Sequence, residues 1–218
     1  MNIIILNKSF GKFKSNKENI FYYLKVKEDF KELKTTIIEK KPKNIISIDF
    51  GIPTSENTNN NIIAIGKEAV LINSKPVNWD IPRADKWLEA SNHLNMNICK
   101  LLEANCMPHM IGSAIQLEHS ENIKKRKNAI KWIYKNIKVN FIDNNSAKLL
   151  EMISDLNLND NYVFLRIIHK NSPININRKF YKKITNYIYS IFFYKIIAKK
   201  ILFKIKQKNL ILKLSKLN

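Results

Sequence analysis

Asp49 ends the strand-like run Ile45–Asp49, most of which is apolar, and is itself followed by Gly51, Pro53, Thr54 and Ser55. Ser113, Glu118 and His119 come after a run at 107–111, Asp143 closes Val139–Ile142, and Asn7, Lys8 and Ser9 come after Ile3–Leu6. If these runs are parallel strands, the residues after them gather at one sheet edge, beyond the carboxyl ends where open α/β sheets hold their ligands. A carboxylate, an acid–imidazole pair and hydroxyls on one rim suit general acid–base chemistry. Gly51 lets backbone come close to a phosphate or sugar. The candidate catalytic residues are therefore Asp49, Glu118 and His119, and the candidate substrate contacts are Ser9, Gly51 and Ser113. A strand-end aspartate also serves as a helix cap, a role that weighs most at Asp143. His93 and His109 read as structural, and Trp79, Trp87 and Trp132 as packing. No Cys or His pair has metal-ligand spacing, so no metal site is expected, and nothing in the sequence names a cofactor.

These residues need elements to position them. Ile3–Leu6 predicts a short buried strand. Leu24, Val26, Phe30, Leu33, Ile37 and Ile38 recur at helical spacing and predict a helix within 20–40, stopped by Lys41-Pro42. A strand at 44–49 follows. Ile62–Ile65 and Ala69–Ile72, split by Gly66-Lys-Glu68, predict a hairpin or a broken strand. Ala84, Trp87, Leu88, Leu94, Ile98, Leu101 and Leu102 predict a helix from Arg83 to Asn105. Then come a strand at Met107–Ile111, a helix from a Ser120 cap to Asn136, a strand at Val139–Ile142, a short helix at Ser146–Leu156 and a strand at Tyr162–Ile168. About five strands alternating with about four helices predict an α/β fold. The expected form is a three-layer sandwich with a mostly parallel sheet, Rossmann-like or flavodoxin-like, over residues 1–173.

The 218-residue chain carries a formal net charge of +20. Fourteen basic and no acidic residues lie in 161–218, which leaves six of those twenty charges to 1–160. The chain is rich in Lys, Asn and Ile throughout, as AT-rich coding produces, and it has no basic–aromatic motif of a single-strand binder, so nucleic acid is disfavoured as a partner. After Pro173 a basic tail (174–218) mixes apolar residues with lysines. Its longest uncharged run, Ile184–Tyr194, has 11 residues, against about 20 for a membrane span. Residues 178–217 are expected to lie as amphipathic helices on an anionic membrane surface. Met1-Asn2 leads straight into Ile3–Leu6 with no signal-peptide pattern. Cys99 and Cys106 read as buried thiols of a reducing compartment, so a cytoplasmic protein on the inner membrane face is expected.

Three resemblances bear on activity. Asp49-Phe-Gly-Ile-Pro-Thr-Ser55 resembles the first phosphate loop of sugar kinases and actin-like ATPases, with Ile52 where Thr is usual. Asn7-Lys-Ser9 after the first strand, with His169 late in the chain, is similar in layout to SGNH (GDSL-like) hydrolases, which implies an esterase or acyltransferase with Ser9 as nucleophile and His169 as its base; Arg166 stands where that family has Asp. An α/β domain with a basic, aromatic-rich tail resembles membrane-peripheral glycosyltransferases of surface polysaccharide assembly. That last resemblance implies a transferase on sugars or activated sugars, with a small-molecule or glycan substrate, Asp49 or Glu118 as base toward an acceptor hydroxyl and His119 on the leaving phosphate. A non-enzymatic protein binding RNA or membrane is the remaining alternative.

Overall fold

The computed structural model describes residues 1–7, 10, 12–24, 30–54, 62–72, 86–117 and 123–168, with 211, 213, 214 and 216 near the C-terminus; the side chains of 123–127 are excepted. The chain forms two compact units, 1–49 with 177–218, and 50–176.

The first unit is a parallel sheet. β1 (Asn2–Asn7) lies between β2 (Asn19–Leu24) and β3 (Asn44–Pro53) and runs parallel to both, with Ile3 opposite Ile20 on one side and Ile45 on the other. Ile3–Leu6, Ile45 and Ile46 are wholly buried, as unbroken apolar strands covered on both faces must be. The three strands all begin on buried asparagines, Asn2, Asn19 and Asn44, and the Asn44 amide donates to Asn2 Oδ1 at 3.2 Å. α1 (Lys31–Lys40) buries Leu33 and Ile37; it lies between the left-handed residues Phe30 and Lys41, and Pro42 follows. Ile211 and Leu214 are buried as well.

β2 is the outermost strand of this sheet. Its outer polar groups are met locally: Ser15 Oγ accepts from the Phe21 amide at 3.0 Å, Asn16 Oδ1 from the Asn19 amide at 2.8 Å, and the Asn16 amide donates to Asn19 O at 2.9 Å. The sequence reading placed residues 20–24 in a helix. The run Ile20-Phe-Tyr-Tyr-Leu24 is aromatic and β-branched, which fits a pleated surface, and pairing with β1 decides the matter.

The second unit holds the rest of β3 with β4 (Ile62–Ile72), β5 (Leu88–Glu89), α2 (Asn92–Glu103), β6 (His109–Leu117), α3 (Ile123–Asn136), β7 (Phe141–Asp143), α4 (Ser146–Asp155) and β8 (Tyr162–Ile168). Its strands close on themselves in the ring β3-β7-β6-β4-β8 and back to β3, with β5 attached to β4. β4, β6 and β7 are parallel, whereas β3 meets β7 antiparallel (Ile52 opposite Ile142) and β4 meets β8 antiparallel (Ile62 opposite Ile168). The expected mostly parallel, Rossmann-like or flavodoxin-like sandwich is thus corrected to a mixed sheet with a five-stranded barrel. Strand sense is not encoded locally: Tyr162–Ile168 is buried at every position, and such a run reads as a core strand of either sense.

A barrel needs strands that bend. β4 bends at a bulge between Gly66 and Glu68. The Phe164 ring occupies the space beside Gly66, 1.9 Å from where a Cβ would stand. The predicted hairpin or break at 66–68 is this bulge inside one continuous strand. β3 likewise runs on through Asp49 to Pro53, and β6 through Gly112-Ser113 to Leu117.

Helices cover the barrel strands. α3 presents Ala129, Ile130 and Ile133 to Ile52, Val70, Ile72, Ile115, Leu117 and Ile142, with Trp87 and Trp132 packed at the margin. Burial of each isoleucine, leucine or valine here contributes roughly 1.5–3 kcal/mol. The Tyr134 hydroxyl donates to Pro53 O at 2.7 Å and Thr54 Oγ1 donates to Val139 O, which tie the last turn of α3 and the residues after it to the end of β3. α2 starts at Asn92 rather than Arg83: Ser91 Oγ accepts from the Leu94 amide at 3.2 Å, and Leu88–Glu89 pair with β4 instead. Cys99 is buried in α2, where burial, with the Glu103 charge behind it, pushes its thiol up; Cys106, expected to be buried, is exposed. No helix among the described residues is long and apolar enough to cross a membrane.

Candidate functional site

A lone arginine inside the apolar strand Tyr162–Ile168 must find a counter-charge, since an unpaired buried ion is very costly. Arg166 of β8 is fully buried and finds Asp143, the last residue of β7, also fully buried; Nε donates to Oδ2 at 2.5 Å. The guanidinium also donates to Leu165 O at 2.9 Å and to Asn145 Oδ1 at 2.6 Å, and it stands 5.2 Å from the centre of the Phe164 ring.

Asp143 uses its other oxygen to start α4. Oδ1 accepts from the Ser146 amide at 3.2 Å and from Ser146 Oγ at 2.7 Å. Gln116, near the end of β6, accepts from the Lys148 amide at 2.8 Å. Two barrel side chains therefore meet first-turn amides of α4. Such amides form an anion site when they are open; here strand residues take that place. The ion pair adds no net charge, and its Arg166 arm holds the Asn144-Asn145 turn that leads into the helix.

Ser113 lies elsewhere in this unit, at the bulge. Its Oγ donates to Glu68 Oε1 at 2.5 Å, its amide donates to Asn140 Oδ1 at 2.9 Å, and Lys67 Nζ is 2.9 Å from the same Glu68 oxygen. Burial pushes the Glu68 carboxyl up, but the Ser113 hydrogen bond and the Lys67 ammonium together outweigh it and hold the group below its ordinary range. Gly51 is a packing position: a Cβ there would meet Ile168 Cδ1 at 2.9 Å and Arg166 Cβ at 3.3 Å. In the first unit Asp49 is buried within β3, with Oδ1 accepting from Asn7 Nδ2 at 2.8 Å. Ser9, Glu118, His119 and His169 lie outside the described residues. Among the described residues no group of three or more His, Cys, Asp or Glu side chains could hold a metal ion.

The sequence reading treated Asp143 mainly as a helix cap and passed over Arg166, Gln116 and Asn145 as site residues. The signal for Arg166 was present: one cation in a strand of otherwise apolar and aromatic residues demands a buried acid, and Asp143 ends the preceding strand.

No family model matches the sequence, and no curated protein matches it. Solved structures do match in fold. A futalosine hydrolase mutant of Helicobacter pylori is 12% identical, with a TM-score of 0.62 over 95% of this chain and 99% of that one. The 5'-methylthioadenosine/S-adenosylhomocysteine nucleosidase of the same organism, solved with butyl-thio-DADMe-Immucillin-A, is 15% identical, with a TM-score of 0.60 over 95% and 98%. That of Campylobacter jejuni is 12% identical, with a TM-score of 0.58 over 95% and 99%. The chain therefore has the fold of these nucleosidases. This overturns the resemblances to surface-polysaccharide glycosyltransferases and to SGNH hydrolases, and with them the sugar-transferase and Ser9-esterase readings. The RNA- or membrane-binding alternative gains nothing from these matches.

Proposed function

We propose that the protein acts on nucleosides and hydrolyses the bond between base and sugar. The observation that carries this reading is the match to nucleosidases over 95% of this chain and 98% or more of theirs.

Hydrolysis of such a bond needs a proton for the departing base and a water activated at the sugar carbon. Asp143 is bound to Arg166 and serves neither role. Glu118 and His119, which follow β6, supply a carboxylate and an imidazole of the right chemistry, and we assign the proton-transfer roles to them. Asp49, bonded to Asn7, is assigned a supporting role in its own sheet. The substrate is a small molecule, and the site of action is the cytoplasm.

The test uses the full chain with 5'-methylthioadenosine, S-adenosylhomocysteine and futalosine, with free base measured by chromatography. Release from at least one is expected. No release from any by folded protein overturns the hydrolase reading.

A further inference from the structure

We draw no further inference here: the strongest candidate, the Lys67–Glu68–Ser113 side-chain cluster at the bulge of β4, belongs to the site already described, and its groups answer one another with no second observation that points to a ligand.

Discussion

Arg166 and Asp143 form an ion pair from which water is excluded on both sides, 2.5 Å between Nε and Oδ2, in which each partner also orders the chain that leads into α4. Removing one partner leaves a buried charge without its counter-ion, which costs about 3–5 kcal/mol. Asp143→Ala and Arg166→Met should each lower unfolding stability by about that much in denaturant titration. The double variant should lose less than the sum of the two, which a double-mutant cycle reads as coupling. Additive losses would show that the pair is not coupled.

Gly66→Ala places a methyl group 1.9 Å from a ring carbon of Phe164. Overpacking of this kind costs about 1–3 kcal/mol. The variant should show a lower Tm, and Phe164→Leu in the same chain should recover part of the loss. An unchanged Tm for Gly66→Ala would show that the ring moves aside freely.

Glu68 is held below its ordinary pKa of 4.5 chiefly by Ser113 and Lys67, against the opposing effect of burial. A carboxyl lowered by folding contributes stability above its unfolded pKa and loses it as pH falls through the folded value. Ser113→Ala removes the O–H donor, so the Glu68 carboxyl should titrate at higher pH, nearer its unfolded value, and the stability that Glu68 loses in acid should shrink. An NMR titration of the Glu68 side chain in both proteins checks this. Identical titration curves would dismiss the hydrogen bond as the cause.

Asp49→Asn tests the role assigned to this acid. A hydrogen bond to a charged group contributes about 1.5–3 kcal/mol, so the variant and Asn7→Ala should each lose stability on that scale while base release is kept. A folded Asp49→Asn protein of unchanged stability that has lost turnover would move Asp49 into the chemistry.

Glu118→Gln and His119→Ala address the proton-transfer step. General acid–base groups typically contribute a factor of about 10²–10⁴. At least one of the two variants should lose base release on that scale while retaining a nucleoside-induced rise in Tm. Full activity in both would place the proton donor elsewhere.

What the sequence disclosed depended on whether the signal was local. Tyr162–Ile168 and the helix that ends at Asn136 could be read because burial or helical spacing is written along the segment itself. β2 could not: Leu24, Val26, Phe30 and Leu33 mimic a helix, and only the partner strand β1 shows residues 19–24 to be extended. The sense of β3 against β7 depends on ring closure, which no short window contains. The site was legible in the same partial way. Asp143 was marked as a strand-end acid, but its partner lies 23 residues on, and nothing near Asp143 announces it. Ser113 was marked as a strand-end hydroxyl, whereas β6 runs past it and turns it to Glu68 across the strand pair.

The two residues beside β2 have a consequence for life at high concentration. An open strand edge invites a second chain to add its own strand, and sheets left open in this way grow into aggregates. Ser15 and Asn16 occupy hydrogen-bonding groups at Asn19 and Phe21 that an incoming strand would need. With two short polar side chains they leave fewer open groups for such an addition, along a strand that carries Phe21, Tyr22 and Tyr23.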